Sequence, residues 1–282
     1  MMKRLLGLAA GWAALTGFQA TPPAPLPAAL SLWRLDCGNF IIKDFNAFFS
    51  DTMAYRPGQA KEITSSCYLI RHGNRYMLWD TGLTARLIGN RQDNPAQTIE
   101  LKRTILDQLK QIGVRPDQIE IIGISHYHSD HIGQAASFPK AKLLIGRGDL
   151  DALKAKPVRA GLEPDLLKPW LTGGSSIVAA DGDVDIFHDG RVVMLKMPGH
   201  TPGHNALLVR LAGGNVLLTG DLYHFTEQVM IKGVPPFNSD RADTLASMDR
   251  FDRLAKNLNA KVIIQHEPAD IMKLPAFPDA AK

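Results

Sequence analysis

Residues Ser125-His-Tyr-His-Ser-Asp-His-Ile-Gly133 place His126, His128, Asp130 and His131 within six positions of one another. An ordinary core has little use for four such side chains, and an ordinary surface rarely concentrates them. Imidazole nitrogen and carboxylate oxygen are both ligands that suit zinc. The apolar run 119–124 leads straight into the cluster and reads as a buried strand. The histidines therefore begin where a strand ends, and from such a point four side chains can diverge toward two neighbouring metal positions.

Four ligands do not complete two coordination spheres, so others must come from distant parts of the chain. His200 lies in Met197-Pro-Gly-His-Thr-Pro-Gly-His204, just past an expected strand at 191–196. Asp221 follows Leu217-Leu-Thr-Gly220, and His266 follows Val262-Ile-Ile-Gln265. Active sites of layered proteins gather at strand termini, which is where all three sit. Alternating or continuous apolar character marks further strands at 32–35, 66–71, 76–79, 142–145, 206–211, 216–219 and 262–264. His72-Gly-Asn-Arg75 and Gly213-Gly214 supply hairpin turns. A helix is expected over 98–112, where Ile99, Leu101, Ile105, Leu109 and Ile112 fall near one face before Gly113. A second is expected over 241–258, with Leu245, Met248, Phe251, Leu254 and Leu258 on one stripe and Ser239 or Asp240 as its cap. Many strands with helices interposed place the chain in the α/β class, as sheets covered by helices.

With 282 residues, 45% hydrophobic and 21% charged, the chain can bury a substantial core and lacks the composition of a disordered protein. One large domain at residues 30–282 is the expectation. Residues 1–20 stand apart, because Lys3 and Arg4 precede an apolar run from Leu5 to Phe18 that ends at the small Ala20, the pattern of a secretory signal peptide. The run falls short of the roughly 18 residues that mark a spanning helix. Cleavage near Ala20 is expected over retention as an anchor, leaving a Pro- and Ala-rich linker at 21–29. The product would be periplasmic or secreted, without stable membrane insertion. Loss of Lys3 and Arg4 lowers the formal charge from +4 to +2, and no run of five or more basic residues remains, so no nucleic-acid partner is expected. Cys37 and Cys67 are the only cysteines. An oxidising compartment permits a bond between them, two buried thiols are the alternative, and a cysteine-rich metal site is excluded.

The motif His126-x-His128-x-Asp130-His131, followed by His200, Asp221 and His266 at these intervals, resembles that of the metallo-β-lactamase superfamily, and Leu78-Trp-Asp80-Thr-Gly82 resembles its first motif. The resemblance implies an αββα sandwich over nearly all of the mature chain. It also implies two metal ions per chain, zinc above all, although manganese, iron and cobalt accept the same ligands. By that resemblance His126, His128 and His200 bind one ion, Asp130, His131 and His266 bind the other, and Asp221 bridges them. Asp80 is expected to hold a ligand imidazole or the loop that carries it. His204 has either a hydrogen-bonded role in its turn or a direct one.

Two such ions, about 3.5–4 Å apart, can hold one water as hydroxide and polarise a carbonyl, which makes the chemistry hydrolysis without a serine or cysteine nucleophile. An aspartate at position 221 separates the chain from the true β-lactamases. Leu35-Asp-Cys-Gly38, Phe49-Ser-Asp-Thr52 and Gly220-Asp-Leu-Tyr-His-Phe225 are similar to stretches of exported N-acyl homoserine lactonases, the quorum-quenching lactonases of this superfamily. That resemblance implies a zinc-dependent hydrolase of a carboxylic ester bond, opening an acylated lactone while Asp130 passes the proton to the leaving alkoxide. The alternative is another hydrolase of the same fold, acting on a thioester, a β-lactam or an organophosphate ester. A non-catalytic metal or redox protein on the scaffold has the intact ligand set against it. Cytoplasmic members of the lactonase group carry a tyrosine three positions after the bridging aspartate. Here that position is His224, with Tyr223 one before it, and either can donate to the substrate carbonyl, His224 being the expected donor. Phe45, Phe48, Phe49 and Tyr55, with Phe237 farther on, are expected as an apolar wall for the substrate, a homodimer contact or plain loop packing.

Overall fold

The computed structural model describes residues 28–282. The expected signal segment, 1–20, and residues 21–27 of the expected linker lie outside the described residues. The strands in chain order are β1 (Leu30–Ile42), β2 (Lys61–His72), β3 (Arg75–Trp79), β4 (Gln92–Asp93), β5 (Gln97–Glu100), β6 (Ile119–Gly123), β7 (Lys142–Gly146), β8 (Ile177–Ala180), β9 (Val184–Asp185), β10 (Val192–Lys196), β11 (Asn205–Leu211), β12 (Gly214–Leu218) and β13 (Lys261–Ile263). The first eight form one sheet in the order β4-β5-β1-β2-β3-β6-β7-β8, and the last five form a second, β13-β12-β11-β10-β9.

Strand periodicity explains the layers, because successive side chains point to opposite faces. In β2 and β3, Tyr68, Ile70, Met77 and Trp79 turn toward the second sheet and meet Met194, Leu207, Val209 and Val216. Their neighbours Cys67, Leu69 and Leu78 turn the other way, onto Ile105, Leu109, Leu150 and Leu153 of the helices Ile105–Gln111 and Arg147–Lys154. The outward residues Leu195, Ala206, Leu208 and Leu217 of the second sheet are covered by Met248 and Phe251 of the helix Arg241–Asn257. Two sheets face to face with a helical layer outside each is the expected αββα sandwich. Asp240 caps that last helix by accepting from the Asp243 N–H at 2.8 Å. Among the described residues, no helix is long and apolar enough to cross a membrane.

The helix expected over 98–112 is only half helix. Ile105–Gln111 is helical behind a Thr104–Asp107 capping box, but Gln97–Glu100 is a strand paired with Asn39–Ile42 of β1. Ile99 and Leu101 look periodic with Ile105, yet they pack on Phe40 and Ile42 across the ladder. A long-range pairing overrides local pattern here, and β-propensity depends on such context.

The topology also places the site. Strands β10, β12 and β13 run in one direction, since β11 is antiparallel to both β10 and β12 while β12 and β13 are parallel. Their C-terminal ends, which carry His200, Asp221 and His266, therefore share one edge. The end of β6 joins them through the Asn205 N–H, which donates to the Ser125 carbonyl at 2.8 Å across the two sheets.

Cys37, in the bulge of β1, and Cys67 of β2 form a buried disulfide between neighbouring strands. Of the two states left open by the sequence, the structure holds the bond. It links positions 30 residues apart, for which the chain-entropy relation gives about 3.5 kcal/mol. A Cys37→Ala/Cys67→Ala variant is expected to lose about 2–4 kcal/mol of unfolding free energy in denaturant titration. An unchanged midpoint would mean that the bond constrains nothing the strands do not already fix.

Candidate metal centre

Two groups of ligand atoms converge where the strands end: His126, His128, His200 and Asp221 in one, Asp130, His131 and His266 in the other. The carboxylate of Asp221 faces both. Its Oδ2 lies 3.6 Å from His126 Nε2 and 3.4 Å from His200 Nε2, while its Oδ1 lies 3.1 Å from His131 Nε2 and 3.0 Å from His266 Nε2. Asp130 Oδ2 completes the second group, 3.5 Å from His131 Nε2 and 3.6 Å from His266 Nε2. Six of these seven side chains come from the ends of β6, β10, β12 and β13 or from the turn Ser129–Ile132 directly after them; His128 caps that turn.

Hydrogen bonds on the far side of each ring decide which nitrogen presents a lone pair. His266 Nδ1 donates to the Thr64 carbonyl at 2.7 Å, and His131 Nδ1 donates to Asp80 Oδ2 at 2.9 Å. His200 Nδ1 donates to Asn238 Oδ1 at 2.9 Å; the Asn238 amide is oriented by its own bond to Thr244 Oγ1. In its neutral form each of the three rings then aims a bare Nε2 inward, the arrangement outer partners impose on metal ligands. His126 Nε2, His128 Nδ1 and His200 Nε2 stand 2.9–3.2 Å from one another. Lone pairs meeting at one point repel unless a cation lies between them. His131 Nε2 and Asp221 Oδ1 are likewise buried with no hydrogen-bond partner. Buried orphan polar atoms are costly, and a bound cation is what satisfies this set.

Charge follows the same division. Burial, with the neighbouring imidazoles, holds His126 and His200 well below the usual imidazole range despite Asp221. On the other side burial opposes charge on His131 and His266, but Asp221 and Asp130 outweigh it and raise both. Burial would push the Asp221 carboxyl up, yet His131, His266 and His126 hold it well below the carboxylate range. One group therefore offers neutral imidazoles; in the other the ionised carboxylates draw positive charge onto His131 and His266, charge that a bound cation supplies in place of the ring protons.

Asp80 holds this arrangement from beneath. It sits in the left-handed region at φ 58° and is fully buried, a backbone state that persists only where its surroundings enforce it. Its Oδ1 accepts the Ser125 N–H at 2.6 Å, and its Oδ2 accepts His131 Nδ1 and Gln265 Nε2. Gln265 was given no role by the sequence, yet its Oε1 also accepts the Gly220 N–H at 3.0 Å and so ties Asp80 to the turn before Asp221. His204 donates from Nδ1 to the Met197 carbonyl and accepts the Asp221 N–H at Nε2, each at 2.9 Å. Burial keeps its pKa down to about 4, in keeping with a neutral ring that must accept. Gly220, at φ 55°, leaves room for that contact, since a Cβ there would lie 2.6 Å from His204 Nε2.

Two expectations need correction. Tyr223 does not reach the site: its hydroxyl donates to Asp252 Oδ1 at 3.1 Å, accepts from Lys232, and its ring packs with Phe251 under the outer helix. His224 points the opposite way, with Nε2 3.1 Å from Asp221 Oδ2. Adjacent side chains in extended backbone diverge, and Tyr223 has φ −132° and ψ 136°. Phe45 and Tyr55 do not line the cavity either; they stack behind it on Phe225, at ring separations of 4.4 Å and 5.7 Å. Phe48, Phe49 and Phe237 do line it, together with Phe40, Ile42, Ile63 and Leu83, which sequence reasoning did not single out, and Ile99, which it placed on a helix. The latter are scattered over β1, β2, β5 and the segment after β3, with no aromatic clustering that would have marked them. The cavity holds about 590 Å³, and Asp130, Asp221, His224 and His266 stand in its wall.

A profile of the metallo-beta-lactamase superfamily matches residues 60–266. The N-acyl homoserine lactonase AttM of Agrobacterium fabrum is 31% identical over 179 residues, covering 61% of this chain and 68% of that protein. The N-acyl homoserine lactonase AiiA of Bacillus thuringiensis subsp. kurstaki is 25% identical over 237 residues, 80% of this chain and 90% of that protein. Among solved structures, an N-acyl homoserine lactone hydrolase with N-hexanoyl-L-homoserine bound at its catalytic metal centre superposes with a TM-score of 0.76 at 22% identity, over 91% of this chain and 100% of that one. AidC, a dizinc quorum-quenching lactonase, superposes with a TM-score of 0.63 at 20% identity, over 90% of each chain. At those identities the structural likenesses speak for the fold.

Asp221 is the one carboxylate that faces both groups of ligands, so Asp221→Ala is expected to lower metal content and activity together. Metal analysis after supplementation should find close to two ions per chain in the parent and fewer in the variant. A variant that keeps both would show that another group spans the pair.

Proposed function

Because the chain belongs to the metallo-beta-lactamase superfamily, we propose that it is a metal-dependent hydrolase that opens the ring of N-acyl homoserine lactones. The observation that carries this reading is the Asp221 carboxylate shared between two groups of metal ligands at the base of an apolar cavity. Relatives named N-acyl homoserine lactonases support the substrate. An acylated lactone has a compact polar head and an apolar tail. The cavity matches both, with Asp130, Asp221 and His224 at one end and Phe40, Ile42, Phe48, Phe49 and Phe237 along its wall.

Zinc is the metal proposed, held as one ion by His126, His128 and His200 and a second by Asp130, His131 and His266, with Asp221 common to both. Bound there, two divalent ions supply the Lewis acidity that makes a water acidic and a carbonyl electrophilic. The remaining steps belong to the chain. Asp130 is the ligand carboxylate whose side chain stays partly open to the cavity, at 20% exposure. Its carboxylate is placed to take the proton of the attacking water and to return it to the ring oxygen as the carbon–oxygen bond breaks. The hydroxyl of that water remains on the acyl carbon, and the product is the ring-opened hydroxy acid.

His224 is oriented by Gln228, whose Oε1 accepts the His224 N–H at 2.7 Å and lies 3.2 Å from Nδ1, while its amide nitrogen donates to the Gly233 carbonyl. Nδ1 therefore carries a hydrogen, and Nε2 is the atom that faces the cavity. Nε2 is thereby placed to donate to the oxygen that gains charge as the carbonyl is attacked.

We also propose that the protein is exported. The signal-like segment at 1–20 supports this, and so does the buried Cys37–Cys67 bond, since such bonds persist in oxidising compartments.

Rates measured with a series of N-acyl homoserine lactones, a cephalosporin, a glutathione thioester and an organophosphate ester test the substrate. The lactones should give the highest kcat/KM by about a hundredfold or more, equivalent to roughly 2.7 kcal/mol of transition-state binding. A higher value for any of the other three overturns the reading. A second prediction separates the neighbours after Asp221. His224→Ala should lower kcat about a hundredfold with little change in KM, the scale of a lost oxyanion donor. Tyr223→Phe should leave kcat unchanged at full metal content, and a large fall in that variant would contradict the geometry.

A further inference from the structure

Asp149 has no part in the proposed chemistry, yet it is fully buried beside the metal centre. It lies in the first turn of the helix Arg147–Lys154, directly after β7. Its Oδ2 accepts the Tyr127 N–H at 3.0 Å and the Thr201 hydroxyl at 2.9 Å, and its Oδ1 accepts the Gly203 N–H at 2.6 Å. Tyr127 stands between His126 and His128, and Thr201 follows His200. One carboxylate thus grips both loops that carry the three-histidine group, and it grips neither His131 nor His266.

The chain is shaped to allow this grip. A Cβ at Gly146 would fall 1.9 Å from the Gly203 carbonyl oxygen, one at Gly148 would fall 2.7 Å from the Pro202 carbonyl carbon, and one at Gly203 would fall 2.4 Å from the Asp149 nitrogen. The turn before the helix and the loop after His200 are therefore packed backbone on backbone. Burial pushes the Asp149 carboxyl up to about 7, a measure of what it costs to keep an acid there. A leucine would fill the space without that penalty but would leave two loop N–H groups unpaired.

We propose that Asp149 is the positioning residue of the three-histidine metal position, setting His126 and His128 against His200 while leaving the Asp130–His131–His266 position independent of it. The inference rests on the two-metal reading of the centre and is separate from the identity of the substrate. Asp149→Asn is close in shape but turns one acceptor into a donor, so either the Tyr127 or the Gly203 N–H loses its partner. Outer partners of metal ligands are worth about 10–100-fold in affinity.

The test is a Zn²⁺ titration of chelator-stripped protein against a chromophoric competitor, with the thermal midpoint of each stripped variant recorded beside it. Wild type should bind two ions. Asp149→Asn should keep one at wild-type affinity and bind the other about 10–100-fold more weakly. Thr201→Val, which removes one of the three donors and is milder, should weaken the same ion in the same direction, and it decides the matter if the Asn variant does not fold. In a His200→Ala background, Asp149→Asn should add no further loss, because both act on one position. Unchanged binding of both ions in the folded variants, or equal weakening of both, overturns the assignment. A wild type that binds a single ion overturns the two-metal reading along with it.

Discussion

One carboxylate holds the centre together. Asp221 is buried among five imidazoles, and its two oxygens are divided between two groups of ligands that belong to different parts of the chain. Burying an ionised carboxylate is tolerable only where compensating charge and hydrogen bonds surround it. The fold meets that demand by bringing the ends of β10, β12, β13 and β6 to one edge of the sandwich. His204 takes the Asp221 N–H, and Gln265 takes the N–H of the preceding Gly220, so the backbone that carries the carboxylate is fixed on both sides.

The outer partners divide into two sets. Asp80 and the Thr64 carbonyl of the first sheet, with Gln265 just past β13, serve His131 and His266, while Asn238 and Asp149, the latter in the helix after β7, serve the three-histidine group. The aromatic residues make a second boundary. Phe45 and Tyr55 stack on Phe225 behind Phe49, and Phe49 in turn lies 4.8 Å from the His224 ring. Ordering of the short helix Phe45–Phe49 thus bears on the ring that faces the substrate.

Much of this was legible in the sequence because metal chemistry is written in residue types at short spacing. The run from His126 to His131 needs no tertiary information to stand out, and the lone ligands His200, Asp221 and His266 each end an apolar stretch. What stayed hidden depends on partners far away in the chain. Residues 97–100 look helical until β1 offers its edge, and the direction of Tyr223 against His224 is set by the extended backbone at Tyr223 that follows the turn Gly220–Leu222. Asp149 and Gln265 are single polar residues with nothing beside them to mark a role; their partners lie 22–54 and 45–199 positions away. Cys37 and Cys67 showed that a bond was possible, and only the pairing of β1 with β2 brings them together.

Anomalous diffraction from a zinc-loaded crystal bears most directly on the central role given to Asp221. Two peaks should appear, one at about 2.0–2.2 Å from ring nitrogens of His126, His128 and His200, the other at similar distances from Asp130, His131 and His266, with one Asp221 oxygen on each. A single peak, or two peaks with Asp221 bonded to only one of them, would contradict the account.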